Sequence, residues 1–237
     1  MLVLLIALLA AASCFAIVAK IFSLVGAILP ALAVFGLTYW FLARRIGRQF
    51  EAAMQQAQTE LQRGRIDRSI AVMEDIKRKF GNWQLFTKSA MDGQIGTIYY
   101  VRQEFDKAKP YLERAFVRHW AAKGMLAVLC FRKKDYAKMD KVFESAVKYS
   151  SKQGLLWSLW AYCHWKAGHT DKAIAILSRG QAKLKDADPR LSANLMSLQN
   201  DKKLKMRVYG EQWYQFHLEV SPQMKQARAG NVRYMQR

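Results

Sequence analysis

Leu155–Lys185, LLWSLWAYCHWKAGHTDKAIAILSRGQAKLK, reads as two antiparallel helices with a short break between them. Trp157, Trp160, Ala161 and His164 lie three or four residues apart, the spacing that puts side chains on one helix face. Gly168-His169-Thr170-Asp171 interrupts that stripe, and Ala173, Ile174 and Leu177 restart it. A glycine after the first helix can take the left-handed conformation that ends it. Thr170 or Asp171 can then cap the second helix. The small residues Ala161 and Ala173 allow the two helices to pack closely.

The pattern echoes along the chain. A step back of about 34 residues, a period typical of helical repeats, takes Ala161, Gly168, Ala173 and Leu177 onto Ala127, Lys134, Met139 and Phe143, within MLAVLCFRKKDYAKMDKVFESAV. The break is now at Asp135-Tyr136. A further step of about 31 residues reaches Gly96, Tyr99, Phe105, Ala108, Leu112 and Ala115, within GQIGTIYYVRQEFDKAKPYLERAF. One more step of about 39 residues reaches a degenerate unit carrying Ala57, Gly64, Ile66 and Ile70.

Gly-x-x-Tyr, then Phe-Asp-x-Ala, then Leu-x-x-Ala, in register with its echoes, resembles the tetratricopeptide repeat (TPR) family over roughly residues 50–187. The resemblance implies an all-α fold: a TPR α-solenoid of about four repeats over 48–188, closed by capping helices over 189–220. Met139 stands where the family has a small residue, and most units lack the closing proline, so uneven packing is expected. Leu191, Leu195 and Leu198 are the expected cap residues, within a stretch Arg190–Leu218 that reads as helix with a break at Gly210. Residues 221–237 are basic, poor in aliphatics and expected to form a flexible tail.

Residues 1–43 are different. Met1–Ala19 and Ile21–Leu42 are almost wholly apolar, interrupted by Lys20, and the first acidic residue is Glu51. About 40 apolar residues are twice what one bilayer crossing needs, which predicts a transmembrane helical segment, read as a two-helix hairpin turning near Lys20–Ser23. One tilted crossing by Gly26–Leu42 is the alternative. Tyr39 and Trp40 suit a membrane interface, and Arg44, Arg45 and Arg48 mark a cytoplasmic flank. Both topologies put the repeats in the cytoplasm, at the inner membrane. The N-terminus lacks the basic start of a signal peptide. Ala11-Ala12-Ser13-Cys14 is a poor lipoprotein box, because it begins with Ala and the apolar run continues past Cys14. Residues 44–62 are rich in helix formers and can carry the membrane helix straight into the first repeat.

No catalytic motif stands out: the sequence lacks a phosphate loop, HExxH, CxxC or a nucleophile elbow, so no enzyme and no cofactor are expected. Cys130 and Cys163 fall among core positions, as free cysteines in a reducing compartment would. His119, His164, His169 and His217 are scattered and read as structural, not as metal ligands.

The resemblance also implies a concave face lined by the first helix of each repeat. Those positions here are Met54, Gln58, Gln62, Thr97, Tyr100, Val101, Val128, Phe131, Arg132, Tyr162, Trp165 and Lys166. Tyr100, Phe131 and Trp165 recur at one position, with Arg132 and Lys166 beside two of them. Aromatics edged with cations suit an extended acidic peptide; packing between repeats is the plainer explanation. The Lys and Asn carboxylate clamp of chaperone-binding TPR domains is not reproduced.

A net charge of +20 exceeds what solubility needs. Anionic lipid and an acidic protein partner both fit a membrane-tethered chain. The expectation is a membrane-anchored scaffold that docks a protein and assembles a membrane complex, with self-association left open. In architecture alone this resembles accessory subunits of exopolysaccharide synthase complexes. The alternative is a membrane-tethered nucleic-acid or ribosome binder using Lys202, Lys203, Lys205 and Arg207 with Tyr209, Trp213 and Tyr214.

Overall fold

The computed structural model describes residues 2–21, 24–83, 86–185 and 187–220. The expected tail at 221–237 and part of the turn expected at Lys20–Ser23 lie outside the described residues. Among the described residues there are eleven α-helices, one 3-10 turn and no strand. The helices are α1 (Leu2–Ile21), α2 (Ile28–Gln62), α3 (Ile66–Phe80), α4 (Thr87–Val101), α5 (Phe105–Arg114), α6 (Trp120–Arg132), α7 (Tyr136–Tyr149), α8 (Gly154–Lys166), α9 (Thr170–Leu184), α10 (Pro189–Gln199) and α11 (Glu211–Tyr214), with the 3-10 turn at Met206–Tyr209. The chain divides into two compact units, Met1–Met91 and Asp92–Arg237. The first holds both the apolar segment and the first expected repeat.

In the first unit, α1 packs along α2. Among the described residues, α1 is the one helix long and apolar enough to cross a membrane. It buries Val3 and Ala7, while Leu5, Leu9 and Ile17 stay exposed. α2 runs unbroken from the apolar stretch through Arg44, Arg45 and Arg48 to Gln62. Pro30 sits in its first turn, where a missing N–H breaks no helical bond. Leu29, Leu37 and Trp40 are exposed, whereas Ile46 and Ala57 are buried. α3 lies back along α2, burying Ile70, Met73, Ile76 and Phe80 at helical spacing. The Ser69 hydroxyl donates to the Ala57 carbonyl at 2.7 Å, and Phe80 meets Phe50 edge-on at 5.9 Å.

In the second unit, α6 pairs with α7, α8 with α9, and α10 packs on α8 and α9. α4 approaches α5 through Gly96, where a Cβ would lie 2.9 Å from a Leu112 methyl. α8 buries eleven of its thirteen residues, among them Trp157, Trp160, Ala161 and His164. Leu191, Leu195 and Leu198 of α10 are buried.

Four inter-helix turns share one conformation. Gly64, Gln103, Lys134 and Gly168 all have positive φ, at 73°, 64°, 57° and 85°. The next N–H then reaches back to the carbonyl five residues earlier: Arg65 to Glu60, Glu104 to Tyr99, Asp135 to Cys130 and His169 to His164, at 2.9–3.0 Å. This is the Schellman closure of a helix C-terminus.

Two local expectations are corrected. Neither Thr170 nor Asp171 caps α9: the closure at His169 starts the helix at Thr170, His169 holds the N-cap position, and Asp171 falls in the first turn. There an acidic side chain acts on the helix dipole. The stretch Arg190–Leu218 is not one long helix. The break at Gly210 is there (φ 62°, ψ −142°), a conformation that only glycine adopts readily, but an earlier one is added: α10 stops at Gln199 and the chain passes left-handed Asp201 (φ 53°).

Candidate functional site

The shared turns set the register of the first helices in the second unit. Three residues before each left-handed residue stand Tyr100, Phe131 and Trp165; two residues before stand Val101, Arg132 and Lys166; six residues before stand Val128 and Tyr162 in α6 and α8. The aromatic positions are therefore equivalent, but their surroundings differ, because the chain's own segment from Leu204 to Glu219 lies against these helices.

The segment is pinned from α10 to α4. Asn194 of α10 accepts from the Lys205 N–H at 2.8 Å. The hydroxyls of Ser158 (α8) and Tyr209 are 2.8 Å apart, and Tyr209 is covered by the Arg190 guanidinium at 4.6 Å. Trp213 meets Tyr162 edge-on at 4.7 Å. Phe216 packs at Gly124 of α6, where a Cβ would lie 3.2 Å from its ring. Its carbonyl accepts from the Tyr100 hydroxyl at 2.8 Å. The His217 carbonyl accepts from Arg132 Nη2 at 2.8 Å, and its imidazole meets the Val101 carbonyl at 3.1 Å. Glu219 accepts from the Tyr162 hydroxyl at 3.1 Å. Met206, Tyr209, Trp213 and Phe216 are buried, and the Trp213 Nε1–H has no acceptor among the described residues.

Tyr100 and Tyr162 are buried beneath the segment and are not open docking surface. Burial pushes the phenols of Tyr100 and Tyr162 upward, with the Glu219 carboxylate adding to the shift at Tyr162. Tyr209 is pushed up to about 12, mainly by burial. The His217 imidazole is held low by burial. Arg132 lies 4.5 Å over the Phe105 ring while holding the His217 carbonyl. Phe131 is half-buried against Tyr136. Trp165 is half-buried beside Tyr162, with exposed Lys166 over both rings at 4.9 and 5.6 Å. Met54, Gln58 and Gln62 belong to the other unit.

The face thus holds a peptide chain through backbone carbonyls, aromatic pockets and one carboxylate. Sequence reasoning missed that occupant. Trp213 and Phe216 follow the break at Gly210 in a stretch that reads as helix, and their spacing alone does not mark them as its anchors.

Among the histidines only His164 is buried; among the cysteines Cys130 and Cys163 are. His164 is buried, its Nε2 2.7 Å from Asp140, which also accepts from Trp160 Nε1 at 2.8 Å. Burial raises the thiols of Cys130 and Cys163, opposing thiolate formation. Among the described residues no three His, Cys, Asp or Glu side chains cluster to hold a metal ion.

In comparisons with known proteins, no family model matches the chain and no curated protein is significantly similar to it.

Proposed function

We propose that this chain is a membrane-anchored TPR-type scaffold that docks a protein partner on the cytoplasmic face and assembles a membrane complex. One observation carries the reading: three successive first helices, through Tyr100, Arg132 and Tyr162, together hold a peptide segment by its carbonyls and a ring. A surface that holds its own chain in this way is chemically suited to hold another. Phe131 and Trp165 stay half-buried and Lys166 exposed on the same first helices, and aromatics with a cation suit an acidic extended segment of a partner. The four identical turns support the repeat assignment. The apolar, largely exposed α1 and the apolar first half of α2 support a two-helix membrane hairpin, with Arg44, Arg45 and Arg48 on its cytoplasmic flank.

The test is partner capture by the full chain in detergent, before and after nuclease treatment. Trp165→Ala should weaken capture by about 2 kcal/mol, the size of a hot-spot loss, in a chain that still unfolds cooperatively. A folded Trp165→Ala chain that captures as well as the parent would sink these residues as the docking site. Loss of capture on nuclease treatment would move the function to Lys202, Lys203, Lys205 and Arg207. In that region Tyr209 and Trp213 are buried and do not present a base-stacking face.

A further inference from the structure

The first unit ties its most apolar helix to a turn far away in sequence. The Leu2 N–H, one of the donors that the start of α1 leaves without a helical partner, reaches the Asn82 carbonyl at 3.3 Å. Phe80, two residues before Asn82, packs on Phe50 of α2. Phe50 lies only two residues beyond Arg48, about 3 Å along the helix axis. The start of α1, the end of α3 and the arginine flank of α2 are therefore at one level.

A helix of 20 residues spans about 30 Å, the thickness of a bilayer's hydrocarbon core. If α1 fills that thickness, Leu2 lies at its edge, and so does the turn that Leu2 touches. The side chains around this turn suit that position. Phe86 is 55% exposed, and its φ of 66° is one that a residue with a Cβ rarely adopts. Trp83 is half-buried close by. Lys88 reaches the Asn82 side chain at 2.8 Å, and Lys79, with 63% of its side chain exposed, pairs with Asp75 at 2.7 Å. Aromatic rings with nearby cations are the composition of a membrane–water interface.

We propose that Trp83 and Phe86, with Lys79 and Lys88, form a second membrane contact, seated in the headgroup region of the bilayer that α1 crosses and favouring anionic lipid. The proposal rests on the reading of α1 as a membrane helix. α1 inserts, Arg44, Arg45 and Arg48 sit at the headgroups, and the turn after α3 is held against the same surface. The first helical pair is then fixed to the membrane at two places instead of hanging from one helix.

The full chain carrying Cys14→Ser, with one added cysteine at Phe86, Leu9 or Leu61, is labelled with an environment-sensitive fluorophore. Cys130 and Cys163 are buried and stay unlabelled in the folded chain. The chain is placed in nanodiscs of phosphatidylcholine, with or without phosphatidylglycerol, containing lipids that carry a nitroxide quencher near the headgroup or deep in the acyl chain. The label at Leu9 should be quenched by the deep nitroxide, and the label at Phe86 by the shallow one. The label at Leu61, about 16 Å further along α2 than Phe50, should escape both. Lys79→Glu with Lys88→Glu should reduce quenching at Phe86 in the phosphatidylglycerol discs and leave Leu9 unchanged. Quenching at Leu9 with a Phe86 label as bright as that at Leu61 would overturn the second contact and leave the membrane helix standing. An unquenched Leu9 would overturn both.

Discussion

The pairs α6–α7 and α8–α9 have one backbone plan and different side chains. Both turn through a left-handed residue, Lys134 in one and Gly168 in the other. Both bury the residue five positions later, Met139 in one and Ala173 in the other, with no exposure at either. Ala146 of α7 corresponds to Gly180 of α9, and Gly124 of α6 to Ser158 of α8. The substitutions follow the neighbours. Gly180 leaves room for Trp157, whose Cγ would lie 2.9 Å from a Cβ there. Gly124 leaves room for the Phe216 ring, whereas Ser158 hydrogen-bonds Tyr209. The plan is set by turn conformation and by the apolar stripe, while volume is traded between neighbouring positions. Cores tolerate such trades when total volume is kept.

The largest expected effect comes from undoing one trade without its compensation. Met139→Ala leaves a cavity at a fully buried site and should cost about 2–5 kcal/mol. Ala173→Met, which copies the α7 residue into α9, should overpack and cost about 1–3 kcal/mol. Chemical denaturation of the full chain in detergent measures both. If Ala173→Met is neutral, the two pairs are not packed in the same way at this position.

The pairs also differ in how they hold the C-terminal segment, and alkali should expose that difference. Tyr209, bonded to Ser158 of α8, has its phenol raised from 10.0 to about 12 by burial. Between those values the folded state keeps a proton that the unfolded state loses. Stability is therefore full below pH 10 and falls as pH rises towards 12, by about 2–3 kcal/mol for this group. Tyr209→Phe should flatten that part of the pH–stability curve. A variant that falls as steeply as the parent would mean that Tyr209 is not held under cover.

Gly180 gives a smaller and more pointed test. In an open helix Gly→Ala stabilises, by about 1 kcal/mol. Here the added methyl would meet Trp157 Cγ and Cβ at 2.9 and 3.0 Å, atoms close to the backbone that cannot swing away. Gly180→Ala should therefore lower stability, by about 1–2 kcal/mol. Ala146→Gly in the sister helix should also destabilise, by about 1 kcal/mol, through lost helix propensity. A stabilised Gly180→Ala would show that Trp157 does not occupy the space the glycine leaves.

The helical hairpins were legible because their signals are local and repeated. Apolar residues three and four apart mark the packed face, and Gly64 and Gly168 announce their turns by the one residue type free to adopt positive φ. Gln103 and Lys134 take the same conformation without any such announcement; the echo locates Lys134, and nothing marks Gln103. The common placement of Tyr100, Phe131 and Trp165 follows from the same periodicity. What covers Tyr100 and Tyr162 was not legible. Phe216 is 116 positions from Tyr100, and nothing in the spacing of Trp213 and Phe216 distinguishes a surface helix from a segment laid across other helices. The exposed α1 and the buried α8 posed a related problem. Both are apolar around their circumference, a pattern that states that the helix must be covered and leaves open what covers it. Neighbouring helices cover α8; α1 has Val3 and Ala7 buried and its other faces largely open.

The smallest expected effect isolates the turns from the packing. Lys134 and Gly168 close the same backbone loop, but a lysine at φ 57° sets its Cβ against the backbone, whereas a glycine has none. Lys134 is exposed, so replacing it removes little packing. Lys134→Gly relieves the left-handed penalty, which is about 1–2 kcal/mol. It also gives the unfolded chain more freedom to lose, which offsets roughly half of that. The net expectation is a gain of about 0.5–1 kcal/mol. Gly168→Lys should lose a similar amount, because no Cβ clash exists at that site and only the conformation is taxed. The two changes exchange the residues of equivalent turns, so the double exchange should return stability to near its starting value if the turns are independent. Denaturation midpoints of the parent, the two single variants and the double variant measure this directly. A Lys134→Gly chain less stable than the parent would mean that the lysine side chain makes a contact worth more than the strain it carries. The equivalence of the two turns would then end at the backbone.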